Sequence, residues 1–170
     1  MLSVYTRLSN KTKAPVTDIV DRQTRSRMMS GIKAKNTNPE IVLRRALHKR
    51  GFRFRLHPPE IPGRPDLVLA KYNATVFVHG CFWHRHEGCR YATMPSTRAE
   101  FWQRKFEANI ARDAAVRSIL LVAGWRVATL WECALRKPQQ VELAADKLGM
   151  WLVSSCLEFE LGSVPKDKST

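Results

Sequence analysis

The run Pro62-Gly63-Arg64-Pro65-Asp66-Leu67-Val68-Leu69 constrains this chain more than any other, because Val78-His79-Gly80-Cys81-Phe82-Trp83-His84-Arg85-His86-Glu87-Gly88-Cys89 follows so soon after it. A proline-rich loop delivers one carboxylate to the start of an apolar strand. The second stretch then places three of the five His and two of the four Cys within residues 79–89. An unpaired carboxylate is costly to bury, and so is a group of imidazoles and thiols with no ligand to share. The two stretches together predict a metal-dependent active site beside a zinc site.

A length of 170 residues with 44% hydrophobic content suits one packed domain. We place it at residues 21–157, after a flexible basic arm at 1–20 and before a polar tail at 158–170. No run has the apolar length to span a bilayer, and the first residues lack the apolar segment of a secretion signal. The expected compartment is the cytoplasm, where thiols stay reduced, so the Cys read as metal ligands or core residues rather than disulfides. The net charge of +14 is uneven, with 14 Lys and Arg against 3 Asp and Glu in residues 1–57. Such a surface points to a polyanion, and nucleic acid fits best.

Taken in order, Thr24–Ile32 mixes Arg with unbranched apolar side chains; either Met29 or Ile32 wedges against bases in a groove, or the two Met, Met28 and Met29, cap the core. Asn38-Pro39-Glu40 starts a helix whose buried stripe includes Leu43 and Leu47, and Gly51 ends it. The alternation Phe52-Arg53-Phe54-Arg55-Leu56 predicts a strand, followed by strands at Asp66–Ala70 and Ala74–Val78 around a turn at Lys71–Asn73. Thr97 and Glu100 form a capping-box pattern ahead of a helical stretch that runs to Ala123, in which Trp102, Phe106, Ile110 and Ala114 recur at fourfold spacing as candidate core. A strand at Trp125–Trp131 delivers Glu132-Cys133, and Gln139–Trp151 is a closing amphipathic helix. The fold class is α/β, a small mixed sheet flanked by helices.

Cys81, His86 and Cys89 supply three ligands at zinc-like spacing, and Cys133 is the fourth candidate; His84 competes with His86. Four protein ligands leave no open position, so the role is structural. Asp66 is placed to bind Mg²⁺, helped by Glu40 and a backbone carbonyl near Val78. His84 is a general base or acid, as an imidazole titrates near neutral pH.

These residues resemble the very-short-patch repair endonucleases of bacteria, which act at T:G mismatches. The resemblance runs from about Asp21 to Arg136. It is carried by Thr24-Arg25-Ser26, the Pro62–Asp66 and His79–His84 motifs, Thr97-Arg98-x-Glu100-Phe101-Trp102, Gly124–Val127 and Trp131–Arg136. It implies a restriction-endonuclease-like fold with a structural Zn²⁺ site, and Mg²⁺-dependent nicking 5′ of a mismatched T left by 5-methylcytosine deamination. By motif position Asp66 binds the metal, His84 is the catalytic histidine, His79 and Glu40 support it, and Asp113 orients His84. Cys81, His86, Cys89 and Cys133 match the zinc ligands. Phe82, Trp83 and Trp102 match aromatics that enter the base stack, while Lys105 and Asn109 fall near the mismatch. Val78 stands where the family commonly has Thr. The implied setting is the bacterial nucleoid, with double-stranded DNA as substrate, mismatch-repair proteins and a DNA polymerase downstream, no membrane, and a monomeric enzyme.

Two other readings fit the motifs. One is a restriction-type endonuclease of the same fold with no mismatch requirement. The other is a catalytically silent, zinc-stabilised DNA-binding module, which the presence of both Asp66 and His84 disfavours.

Overall fold

A computed structural model describes Asp21, Gln23, Thr24 and residues 35–163. Met29 and Ile32 lie outside the described residues, as do the whole arm and the end of the tail. The chain forms two compact units, Met1–Gly31 and Ile32–Thr170. In the first unit the Asp21 carboxylate accepts hydrogen bonds from the Thr24 N–H and hydroxyl, both at 2.8 Å. All that follows concerns the second.

Helix α1 covers Asn38–Lys49 and is flanked by Thr37, one residue before the expected cap Asn38. The Glu40 carboxylate reaches back to the Thr37 N–H and hydroxyl, satisfying donors that the first turn leaves free. The helix ends at Gly51, whose φ of 84° is the left-handed conformation that favours glycine. Strands β1 (Leu67–Leu69) and β2 (Ala74–His79) pair antiparallel around a 3-10 turn at Ala70–Tyr72, with left-handed Asn73 closing it. Helix α2 (Ala99–Val122) crosses to β3 (Arg126–Trp131), which lies parallel to β2; helix α3 (Pro138–Val153) then leads to β4 (Glu158–Leu161), parallel to β3. The sheet order is β1-β2-β3-β4, a small mixed sheet with helices, as expected. No helix among the described residues is long and apolar enough to cross a membrane.

Strand alternation divides the work between the two faces. On one face Leu67, Leu69, Ala74, Val76, Ala128 and Leu130 pack with Leu43 and Leu47 of α1 and with Ala144, Ala145, Leu148 and Leu152 of α3. The opposite face presents Phe77, His79, Val127, Thr129 and Trp131 to a cleft walled by α2. The parallel register sets His79 directly beside Trp131, at the ends of their strands.

Four expectations need correction. Phe52–Leu56 forms no strand: Phe52 and Phe54 do turn toward the core and Arg53 and Arg55 toward solvent, but only Arg55 bridges Val68, because β1 is three residues long. Residues 158–161, placed in the polar tail, form an edge strand that pairs with β3, with Phe159 and Leu161 packed on the core. The residue flanking α2 is Arg98, in a left-handed conformation, rather than Thr97. Of the fourfold series on α2, only Phe106 is buried, since this helix walls a cleft.

Candidate active site

The cleft encloses about 860 Å³, and its lining includes Glu40, Asp66, His79, Trp83, His84, Lys105, Asn109 and Asp113. Asp66 stands immediately before β1. Gly63, three residues earlier, has φ 75°, and a Cβ there would lie 2.3 Å from a Val116 methyl on α2; the loop passes too close to that helix for any side chain.

One oxygen of Asp66 accepts the Val78 N–H at 2.7 Å. Burial pushes the carboxyl up to about 6, against the pull of that hydrogen bond, and the Glu40 charge adds to the rise. Glu40 is almost fully buried, and its oxygens take the Thr37 N–H and hydroxyl, the Asn36 N–H at 3.0 Å and Arg44 at 2.5 Å. It lies within reach of Asp66, yet its hydrogen-bonding capacity is spent on the start of α1.

A residue that the sequence reading missed, His57, sits between these two carboxylates, 3.6 Å from each. Burial and the neighbouring Arg44 guanidinium hold its pKa below the usual imidazole value, so the ring is neutral. The available signal was slight: a His at the end of the Phe52–Leu56 alternation, just before Pro58.

His84 Nδ1 bonds an Asp113 carboxylate oxygen at 2.5 Å. Burial alone would raise the Asp113 pKa, but the hydrogen bond from His84, helped by the Arg112 guanidinium, holds it below the usual range. The His84 ring stacks on His79 at 3.9 Å with planes 9° apart. Burial drives His79 down to about 3, so it is a neutral platform. Helix α2 fastens the loop twice, one turn apart: Asp113 holds His84, and the Asn109 amide donates to the Trp83 carbonyl at 2.9 Å. Asn109 thus has a structural partner besides its place in the cleft.

His86, not His84, lies with the cysteines; Cys81, His86, Cys89 and Cys133 offer ligand atoms that are all within 4.8 Å of one another. His86 Nδ1 is 3.7 Å from the Cys81 sulfur and 3.4 Å from that of Cys133. A tetrahedral zinc ion, about 2.3 Å from sulfur and about 2.1 Å from nitrogen, requires an edge of about 3.6 Å, so the donor set fits. Cys81 and Cys133 are buried, and burial pushes the Cys81 thiol far up, a cost that a bound dication would offset. His86 stacks on Trp131 at 4.3 Å, and the Ser163 N–H points at the Cys133 sulfur at 3.2 Å. Among oxygen donors, Asp66 with the Glu40 carboxylate within 4.8 Å suits a hard cation that keeps several waters.

Beside the cleft, Phe82, Trp83, Trp102 and Phe106 form one cluster, Phe82 edge-on to the other three, Trp83 tilted against Trp102, and Trp102 stacked on Phe106, with ring centroids 5.0–5.9 Å apart. Only Phe106 is fully buried; the two Trp are half-buried, and Lys105 stands exposed on the rim.

Residues 17–90 match the family described as DNA mismatch endonuclease Vsr. The DNA mismatch endonuclease Vsr of Escherichia coli K12 is 40% identical over 137 residues, covering 79% of this chain and 87% of the relative. The chain belongs to the Vsr family. It is therefore a DNA endonuclease of the mismatch or nicking kind, in keeping with its motifs. The type II nicking enzyme V.XorIIP of Xanthomonas oryzae pv. oryzae is 45% identical over 120 residues, 71% of this chain and 88% of that one. V.NmeAIP of Neisseria meningitidis is 39% identical over 121 residues, covering 71% and 86%.

Proposed function

We propose that this Vsr-family enzyme, on a restriction-endonuclease-like fold, recognises T:G mismatches in double-stranded DNA and nicks the strand 5′ of the mismatched T. The observation that carries the reading is one cleft that unites Asp66 with the His84–Asp113 pair, beside half-exposed aromatics and a cationic rim.

Asp66 and the Val78 carbonyl would hold Mg²⁺, which when bound polarises the phosphodiester and offsets developing negative charge. His84, with Nδ1 held by Asp113, keeps Nε2 free to take a proton from the attacking water, and the Asp113 carboxylate stabilises the imidazolium that results. His79, kept neutral by burial, supports the His84 ring without competing for the proton. Glu40 acts through the start of α1 and its contact with His57. Cys81, His86, Cys89 and Cys133 would hold structural Zn²⁺ with no open position. Phe82, Trp83 and Trp102 enter the stack at the mismatch while Lys105 meets phosphate and Asn109 fixes the Trp83 backbone. The nick is then a start point for repair proteins and a polymerase in the bacterial cytoplasm.

Matched and T:G duplexes with Mg²⁺ test this directly. Nicking confined to the T:G duplex, 5′ of the T, supports the proposal. A double-strand break in matched DNA would select the restriction-type reading, and a mobility shift without cleavage the silent binding module.

A further inference from the structure

His57 is held in the left-handed region at φ 45°, a conformation that is strained for a non-glycine residue and gathers at functional sites. Its side chain is 12% exposed. The ring faces three charged groups. Nε2 lies 3.0 Å from an Arg44 guanidinium nitrogen and 3.6 Å from a Glu40 oxygen; Nδ1 lies 3.6 Å from the Asp66 oxygen that Val78 leaves free.

The guanidinium decides the tautomer, because it has donors and no acceptor. Arg44 is itself fixed by Glu40 and by the Asn36 side-chain oxygen at 2.6 Å. Nε2 must then carry the lone pair, so the proton of the neutral ring sits on Nδ1 and points at Asp66. At 3.6 Å this contact is electrostatic; a small rotation of the Asp66 carboxylate, whose terminal torsion is soft, closes it to a hydrogen bond.

We propose that His57 is a positioning residue: with its tautomer set by Arg44, it holds the Asp66 carboxylate from the side opposite Val78, in the orientation that receives a divalent cation. It is not itself a ligand, since the Arg44 charge stands 3.0 Å from Nε2 and the other nitrogen carries the proton. The inference rests on reading Asp66 as the metal-binding carboxylate. It extends the site back through Arg44 to the start of α1, so the packing of a structural helix sets the geometry of the metal carboxylate.

The test compares His57→Ala, His57→Asn and Asp66→Asn in the full chain. Asn is the informative replacement: it tolerates the left-handed backbone, and its amide can donate from nearly the position of Nδ1. His57→Ala should raise the half-saturating Mg²⁺ for nicking about tenfold or more, a loss typical of groups that orient a metal ligand. The Kd for T:G duplex without Mg²⁺ should stay within about threefold of wild type in the same variant. His57→Asn should restore most of the Mg²⁺ response. In the wild-type protein, nitrogen NMR should find His57 neutral and protonated at Nδ1, a readout independent of activity.

An unchanged Mg²⁺ response in His57→Ala overturns the inference. So does an equal loss in both His57 variants that tracks their melting temperatures, or a proton on Nε2. Metal-dependent nicking by Asp66→Asn would overturn the underlying reading as well. A dead Asp66→Asn beside an unaffected His57→Ala sinks this inference alone.

Discussion

Cys81 and Cys133 are sealed from solvent, whereas Asp66 and His84 keep 18% and 21% of their side chains exposed, although one short loop carries Cys81, His84 and His86 alike. The cysteine site is backed by the sheet and the chain after it, with only Cys89 and His86 half-buried: Trp131 lies under His86, and Gly162 lies so near His86 that a Cβ there would approach to 2.4 Å. The cleft residues are held from behind and left open in front, Asp66 by Val78 and His84 by Asp113. The difference teaches a division of labour. The cysteine cluster fixes the path of the loop, and the path of the loop presents His84 and Trp83 to the cleft.

The largest effect expected from this division is on Asp66. Asp66→Asn should lower nicking by at least about 10³-fold, because it removes the charge that anchors the cation. T:G binding should be nearly unchanged, and the metal-free melting temperature should hold or rise, since a neutral amide avoids the cost of burying the carboxylate. Single-turnover nicking with parallel melts checks both. Nicking within tenfold of wild type would move the metal site elsewhere.

Cys133→Ala probes the closed half. It should lose the one zinc ion per chain expected of the wild type on the proposed function, and destabilise the fold by about 4 kcal/mol or more, as loss of a structural metal does. Nicking should fall only with the folded fraction. Elemental analysis and denaturant melts decide: a variant that melts normally and keeps its zinc, yet does not nick, would erase the distinction between the two halves.

How far the sequence reveals this arrangement depends on how local each signal is. The start and stop of α1, the β1–β2 turn, β3 and α3 are legible because their caps, turn residues and apolar periods lie within a few residues of each other. The cysteine ligands are legible for the same reason, with Cys133 alone coming from a distance. Phe52–Leu56 has the right alternation but finds only Val68 to pair with, and alternation cannot report the length of a partner strand. Glu158–Leu161 is short and half charged, and it becomes a strand because β3 offers it an open edge. Ile110 and Ala114 repeat like core residues although they line a cleft, since a helix beside a concave surface has the same period as one on a core. His57 takes its meaning from Arg44, Glu40 and Asp66, which meet only in the folded chain.

The third prediction concerns the aromatics between the two halves. A mismatched pair is poorly stacked, so opening it costs less than opening a matched step, and stacking worth ~1–3 kcal/mol per base can offset the cost. Trp83→Ala should therefore weaken T:G binding by roughly tenfold to a hundredfold more than matched binding. Trp102 also packs on Phe82, Phe101 and Phe106, so its loss should lower the melting temperature as well; Trp83, against Phe82 and Trp102, is the cleaner position. Equal weakening on both duplexes would remove the wedge role.

The smallest effect, and the one that reports the open half most directly, is on pH. Burial lifts the Asp66 carboxyl from 3.8 to about 6 in the folded chain. Between those values the native state keeps a proton that the unfolded chain gives up, so this group's contribution to stability is greatest below about pH 4 and declines as pH rises through 6. The full swing, a shift of about two units, is about 3 kcal/mol. Cation binding runs the other way, because it needs the carboxylate: below pH 6 the half-saturating Mg²⁺ should rise about tenfold per unit. Melts without Mg²⁺ across pH 4 to 7 should show the decline in wild type and a flatter curve in Asp66→Asn. Identical slopes in the two proteins would show that Asp66 is not held protonated by its surroundings.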